Sequence, residues 1–135
     1  MHFYDMNKIA ISALVLTIAV ITGAFGAHML RNLLTEEHLR SWQTAVQYMF
    51  FHGLGMLIIA IIPQSIISRP KMLDLSWKFL LTGVCLFSGS IFFLSTTEIT
   101  QLNMKWLGPV TPIGGMFFIA GWMMLAFSSM KKKKS

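Results

Sequence analysis

Long apolar runs separated by short polar segments set the pattern of this 135-residue chain. Each run approaches the roughly 20 residues that an α-helix needs to cross a hydrocarbon core about 30 Å thick. Backbone amides find no water in lipid, and uninterrupted apolarity does not fit the alternating strands of a barrel, so the runs should be helices. The runs cover residues 9–27, 45–62, 79–94 and 113–128, and with neutral flanks they predict spans at 8–28, 44–63, 77–97 and 111–129.

The first apolar run allows a second interpretation as a secretory signal peptide. It follows Lys8 and contains Ala24-Phe25-Gly26, a tolerable cleavage site. Its apolar stretch exceeds the roughly 7 to 15 residues of a signal core, and three more spans follow, which favours a permanent span. We therefore predict one all-α domain over residues 1–135, a polytopic membrane protein folded as a compact four-helix transmembrane bundle.

The first external loop carries the signals of a helix start. Thr35 can cap a helix, and Glu36 and Glu37 suit the positive end of the helix dipole. This predicts a short interfacial helix that leads into the second span.

Composition agrees with a lipid environment, since 55% of the residues are hydrophobic and 12% are charged. Mean hydropathy is +0.65. The net charge of +6 could suggest nucleic acid, but four of the eleven basic residues form the run 131–134 in the tail 130–135. We expect the bilayer as the partner, with anionic lipids at this tail, and no nucleic acid.

Basic residues near the spans predict the orientation, because they are retained on the cytoplasmic side. Eight of the eleven would lie on one side and three on the other, which puts both termini in the cytoplasm. The minority side would hold Arg31, Arg40 and Lys105. Tyr4, Trp42, Tyr48, Trp77 and Trp106 lie near predicted helix ends, where aromatic rings favour the headgroup level.

Small residues recur every seven positions in all four spans. Lipid provides no hydrophobic drive between helices, so close backbone approach at small residues is what allows tight packing. A seven-residue period keeps one stripe facing a neighbour in a left-handed bundle. The glycines predicted at helix contacts are Gly26, Gly53, Gly83, Gly114 and Gly121.

A set of polar residues falls in the outer halves of the predicted spans. It could be a polar pocket, because ionisable groups in membranes often mark pathways, or a set of packing hydrogen bonds worth about 0.6 kcal/mol each. We expect His52 to point inward toward Ser88 or Ser90. The cluster comprises His28, Thr44, Gln47, Tyr48, His52, Ser88, Ser90 and Thr111.

Reaction chemistry is not evident in the sequence. The chain has one cysteine, Cys85, and lacks the hydrolase elbow, zinc-protease and phosphate-loop motifs. His28 and His52 could ligate haem or a metal, but they should lie about two turns apart in depth. We expect no catalytic residue, cofactor or metal site.

Four blocks of sequence, taken in order, resemble one known family. They are residues 23–28, 42–48, 86–90 and 111–115, followed by Gly121-Trp122. The family is the domain-of-unknown-function 423 family of small membrane proteins, to which transmembrane protein 256 is similar. Met29, where the family has glycine, and the lysine tail depart from its pattern. The resemblance implies a four-span protein of the bacterial inner membrane and carries over no catalytic residue.

Two functions follow as hypotheses. The first is a non-enzymatic protein that supports envelope integrity or a partner complex, as a homo-oligomer or with another membrane protein. The second is a small transporter or channel that uses the polar cluster.

Overall fold

The computed structural model describes residues 5–131 of the chain, so that most of the predicted basic tail lies outside the described residues. Helices are joined by short turns, and the described residues contain no β-strand. Short 3-10 helices cover Leu30–Asn32, Gln64–Ile66 and Lys105–Leu107. The helices are α1 (Met6–His28), α2 (Glu36–Ile61), α3 (Pro70–Gly83), α4 (Gly89–Ser95), α5 (Thr97–Thr100) and α6 (Val110–Ser129).

Four helical stretches are long and apolar enough to cross a membrane, which confirms the all-α, four-span prediction. α1 and α2 form the first two stretches. The third runs from Pro70 to Ser95 and the fourth from Lys105 to Ser129. The third begins seven residues before the predicted start at 77, since Pro70 fits the first turn of a helix, where its missing N–H costs nothing.

The predicted interfacial helix is not a separate element. α2 begins at Glu36 and continues without a break to Ile61. The Thr35 hydroxyl accepts a hydrogen bond from the His38 N–H at 3.4 Å, as predicted for a capping residue. At 1.5 Å per residue α2 is about 39 Å long, so it exceeds the thickness of a hydrocarbon core.

The third span contains a π-helical segment at Val84–Ser88, between α3 and α4. Two neighbouring residues of this segment contact two different helices. Ser88 is fully buried and donates to the Ala45 carbonyl of α2 at 2.7 Å. The backbone of Phe87, the preceding residue, lies directly against Gly114 of α6.

The bundle consists of two closely packed helix pairs. α1 packs along α2, α3 packs along α6, and α2 also contacts the whole third span. The central core is aliphatic and aromatic, as expected for helices that bury one stripe and leave the other to lipid. Its buried residues are Val15, Ala19, Met49, Met56, Ile59, Ala60, Leu73, Trp77, Leu80, Val84 and Phe118.

Glycine allows the closest helix contacts. A Cβ atom on Gly121 would lie 2.8 Å from Leu80 Cδ2, and one on Gly83 would lie 2.5 Å from Phe118 Cδ1. One on Gly114 would collide with the backbone of Phe87. The remaining two predicted contacts lie between α1 and α2, where Gly26 meets the Trp42 ring and Gly53 meets Leu16 and Val15.

Two tryptophans predicted near helix ends are buried between helices of the bundle. Trp42 is 8% exposed and donates its indole N–H to the Thr22 carbonyl at 2.9 Å. Trp77 is 5% exposed and donates to the Ser12 hydroxyl at 3.1 Å. A backbone carbonyl or a hydroxyl on the neighbouring helix accepts a hydrogen bond from each indole, so both N–H groups are satisfied inside the bundle.

One end of the bundle is held by charged side chains, and we call it the basic end. Lys8 Nζ lies 2.6 Å from Asp74 Oδ1 and 3.1 Å from Asp5 Oδ2, while Lys78 Nζ lies 2.8 Å from Asp74 Oδ2. The hydrogen bond from Lys8 lowers the pKa of the Asp5 carboxyl. Arg69 donates to the Phe127 carbonyl at 2.9 Å, near the end of α6.

Candidate functional site

The polar side chains predicted as one cluster are divided among several environments. Among residues 5–131, the one hydrogen bond between side chains of two members joins the Ser90 and Thr111 hydroxyls at 2.5 Å, between α4 and α6. Thr44 donates to the Arg40 carbonyl of its own helix at 3.0 Å. His28 and Gln47 are both exposed, so they do not face the bundle interior with the rest.

His52 points inward, but toward α6 and not toward Ser88 or Ser90. Its side chain is 8% exposed, and its ring stacks on Phe118 with centroids 3.5 Å apart. Nδ1 lies 2.6 Å from the Tyr48 carbonyl, which can only accept, so Nδ1 carries the proton. The expected contact with the two serines is wrong, because their hydroxyls bond Ala45 and Thr111 instead.

His52 forms the floor of a shallow groove between α2 and α6, with a volume of about 600 Å³. Tyr48 stacks on Phe87 at 4.6 Å between ring centroids, and Trp122 lies 6.0 Å from the His52 ring. These rings make the groove an aromatic surface on the side of the bundle. The groove is lined by Tyr48, Phe51, His52, Phe87, Pro112, Gly115, Met116, Phe118, Ile119 and Trp122.

A larger and more polar cavity lies at the end of the bundle opposite the basic end. We call it the end pocket, and its volume is about 720 Å³. It is formed by the start of α2, the end of the third span, the segment 101–105 and the start of α6. Its lining residues are Glu37, His38, Ser41, Thr44, Ile91, Leu94, Ser95, Thr97, Gln101, Leu102, Asn103, Met104, Lys105 and Thr111.

A contact between His38 and Glu98 lies beside the end pocket. His38 Nδ1 lies 2.7 Å from Glu98 Oε1, which joins α2 to α5. The Thr35 hydroxyl donates to the same carboxylate at 3.3 Å, and the Thr35 N–H lies 3.4 Å from its second oxygen. The carboxylate therefore ties the first turn of α2 to α5, and fixes one wall of the cavity.

Ser95 and Gln101 have unusual positions in the wall of the end pocket. Ser95 is 1% exposed, and its hydroxyl has no hydrogen-bond partner among residues 5–131. Gln101 has a left-handed backbone with φ of 56°, which is rare for a residue with a side chain. The side-chain amide of Gln101 donates a hydrogen bond to the backbone carbonyl of Glu98 at 2.8 Å.

Sequence reasoning found two of the residues that line this pocket, Thr44 and Thr111, and missed most of the others. Glu37 and Lys105 were assigned to external loops, and only the fold shows that both loops border one cavity. A signal was available, because the predicted topology puts both loops on the same side. Among residues 5–131, no three His, Cys, Asp or Glu side chains come together as a metal site.

Comparison with known proteins identifies relatives along nearly the whole chain. A UPF0382 membrane protein of Staphylococcus haemolyticus is 42% identical over 125 residues, covering 91% of this chain and 94% of the relative. UPF0382 membrane protein YwdK of Bacillus subtilis is 37% identical over 122 residues, covering 90% and 92%. No solved structure matches the chain.

The family model described as "Protein of unknown function (DUF423)" matches residues 22–115. This range includes three of the four blocks on which the resemblance was based and all but the end of the fourth. The match and the relatives confirm that resemblance. The chain therefore belongs to the DUF423 family, whose bacterial members are membrane proteins of unknown function.

Proposed function

We propose that this protein is a non-enzymatic component of the bacterial cytoplasmic membrane that supports envelope integrity as part of a membrane complex. The observation that supports this proposal is that four of the seven buried polar side chains among residues 5–131 form hydrogen bonds to another helix, namely Ser12, Ser76, Ser88 and Ser90. Ser76 donates to the Gly121 carbonyl at 2.7 Å, from α3 to α6. Ser88 donates to the Ala45 carbonyl at 2.7 Å, from the third span to α2.

These bonds occupy the groups that a polar pathway would need. Ser12 accepts from the Trp77 indole between α1 and α3, and its own hydroxyl donates to the Lys8 carbonyl at 2.7 Å. Ser12, Ser76 and Ser88 are all 0% exposed. A conduit requires polar groups that can exchange partners with water or solute, whereas these three hydroxyls are buried and hydrogen-bonded to the protein.

We also propose that both termini lie in the cytoplasm. The ion pairs of Lys8 with Asp74, and the hydrogen bonds of Arg69 with the end of α6, gather the predicted cytoplasmic segments at one end of the bundle. Basic residues near the spans are concentrated at that end, which supports the orientation.

The test separates support of the envelope from conduction. A strain that lacks the protein should become more sensitive to osmotic shock and detergent, and the wild-type gene should restore resistance. Liposomes that contain the purified protein should hold a pH gradient as long as empty liposomes do. Dissipation of the gradient by the protein, or a deletion strain with normal resistance, would contradict the proposal.

A small transporter is the second candidate, and the end pocket is the observation that favours it. A cavity of about 720 Å³ can hold a small solute, and its lining has both charges and hydroxyls. Transport would require this cavity to open toward the basic end, past Ser90 and Thr111. Uptake of a labelled solute by liposomes that contain the protein, with loss of uptake in Thr111→Val, would favour transport.

A further inference from the structure

The end pocket presents one acidic and one basic side chain that lack ionic partners. Glu37 and Lys105 both line the cavity, and neither forms an ion pair among residues 5–131. His38 and Glu98, by contrast, are paired with each other at 2.7 Å. The charges available to a ligand are therefore one carboxylate and one ammonium, which complement a molecule that carries charges of both signs.

Ser95 supplies a further polar group in the same cavity. Its hydroxyl is buried and has no hydrogen-bond partner in the part of the chain that the structure describes. A buried hydroxyl without a hydrogen-bond partner destabilises the fold. A ligand oxygen that accepts a hydrogen bond from this hydroxyl would remove that cost. Ser95 is one of the residues that line the cavity, so a small rotation of its side chain would bring the hydroxyl to such an oxygen.

Apolar side chains of the third span also line the cavity. Ile91 and Leu94 of α4 line it, next to Lys105 at the start of the fourth span. Trp106, the residue after Lys105, is 69% exposed, as expected for a ring at the headgroup level. Charged groups at headgroup depth beside an apolar helix surface fit an amphiphile better than a molecule that is polar throughout.

The geometry points to the headgroup of an amine-bearing phospholipid as the occupant of the end pocket. The lipid ammonium would lie at Glu37, and its phosphate would lie at Lys105 and Ser95. The acyl chains would follow α4 beyond Ile91 and Leu94. This inference rests on the proposed function, because a non-enzymatic membrane protein would act by binding. The phospholipid headgroup is the bound molecule that we infer.

The experiment is native mass spectrometry of the full-length protein, delipidated in detergent and offered equal amounts of phosphatidylethanolamine and phosphatidylglycerol with identical acyl chains. The wild type should retain the amine lipid about tenfold better, the ratio that one added charge-assisted hydrogen bond produces. Glu37→Gln should abolish this preference. Glu36→Gln is the matched control, because Glu36 lies in the same first turn of α2 but does not line the pocket.

Lys105→Gln should weaken retention of both lipids, because both carry the phosphate. Its matched control is Arg31→Gln, which removes one positive charge from the same predicted side of the membrane outside the pocket. Ser95→Ala should keep the fold and also weaken retention of both lipids. Circular dichroism and thermal melting would show whether each variant remains folded.

Equal retention of the two lipids by the wild type would overturn the inference, as would equal losses in Glu37→Gln and Glu36→Gln. Free phosphoethanolamine shares the headgroup chemistry without the acyl chains. Its displacement of the lipid at equal concentration would assign the pocket to a soluble zwitterion and overturn the lipid assignment. Loss of lipid preference in Glu37→Gln with full rescue of the deletion strain would show that the lipid site is dispensable, and the proposed function would stand.

Discussion

Ser76 of α3 donates its hydroxyl hydrogen to the backbone carbonyl of Gly121 in α6 at 2.7 Å, and its side chain is completely buried. The bond and the glycine depend on each other. The absence of a side chain at Gly121 brings α6 against Leu80, one helical turn beyond Ser76. This close approach brings the carbonyl within reach of the hydroxyl, so a packing contact and a polar contact stabilise the same helix pair.

Removal of this hydroxyl should therefore cost stability. Ser76→Ala should lower the free energy of unfolding by about 0.6 kcal/mol, the average for hydrogen bonds between membrane helices, and by at most about 1.7 kcal/mol. Thr82→Ala is the matched control, since Thr82 lies on the same helix and donates only to the Lys78 carbonyl within it. Denaturation in mixed micelles would measure the free energy of unfolding of both variants. Equal losses of stability in the two variants would show that the bond between α3 and α6 contributes no more than a bond within one helix.

The two adjacent glycines of α6 should respond differently to one added methyl group. A Cβ on Gly114 would collide with the Phe87 backbone, whereas one on Gly115 would meet only Phe87 Cδ2 at 4.0 Å. Gly114→Ala should destabilise by about 1 to 3 kcal/mol through overpacking. Gly115→Ala should be neutral or stabilising by up to about 1 kcal/mol, because alanine favours the helix. Thermal melting in detergent would compare them, and a tolerated Gly114→Ala would contradict the close contact.

The orientation can be tested by labelling single cysteines in a Cys85→Ser background. Asn103→Cys, in the segment that borders the end pocket, should react with an impermeant thiol reagent added to intact cells. Ser65→Cys, in the loop between α2 and α3, should react only after the cells are opened. Both positions are exposed, so access to the reagent depends on the side of the membrane. The opposite labelling would reverse the proposed topology.

Sequence alone predicted the number and type of spans because lipid constrains them so strongly. Continuous apolar runs must form helices, and their lengths follow from the thickness of the bilayer. The small-residue period also identified positions such as Gly114 and Gly121, which lie where helices meet. Each of these patterns is local, because it can be recognised within the sequence of a single helix.

Side-chain directions and contacts between distant segments could not be predicted from such local patterns. The spacing of four residues places Thr44, Tyr48 and His52 on one face of α2. The sequence does not show which helix packs against that face. The π-helical segment at Val84–Ser88 turns Ser88 toward α2, so that its hydroxyl bonds Ala45 and is not available to His52. The pair of His38 and Glu98 joins residues 60 positions apart, in α2 and α5, and these two segments share no sequence pattern.

The left-handed backbone of Gln101 predicts a stabilising substitution. Its φ of 56° forces the Cβ against the backbone, at a cost of about 1 to 2 kcal/mol that glycine avoids. Gln101→Gly should therefore preserve or raise the melting temperature, although it removes the amide bond to Glu98. Gln101→Ala keeps the strain and loses the amide, so it should melt lower than Gln101→Gly. The reverse order would show that the side chain matters more than the turn.

His52 gives the last prediction, which separates a packing role from a chemical one. The Tyr48 carbonyl that Nδ1 contacts lies one turn earlier on the same helix, where it already accepts the helical N–H of residue 52. Loss of the imidazole N–H therefore leaves no carbonyl without a partner. The ring itself has the larger role, because it stacks on Phe118 at 3.5 Å between centroids. His52→Phe should keep this stack and lose at most about 1 kcal/mol, whereas His52→Ala should lose about 2 to 4 kcal/mol to the cavity.

The same pair of variants addresses function. If His52 is a packing residue, the His52→Phe gene should restore envelope resistance to the deletion strain as the wild type does. Phenylalanine cannot exchange a proton or form a hydrogen bond to a ligand, so a site that uses the imidazole nitrogens would lose function while the protein stays folded. A stable His52→Phe protein that fails to rescue would contradict the packing role and make the groove between α2 and α6 the functional site. Thermal melting of the purified variants, run beside the rescue assay, distinguishes this result from misfolding.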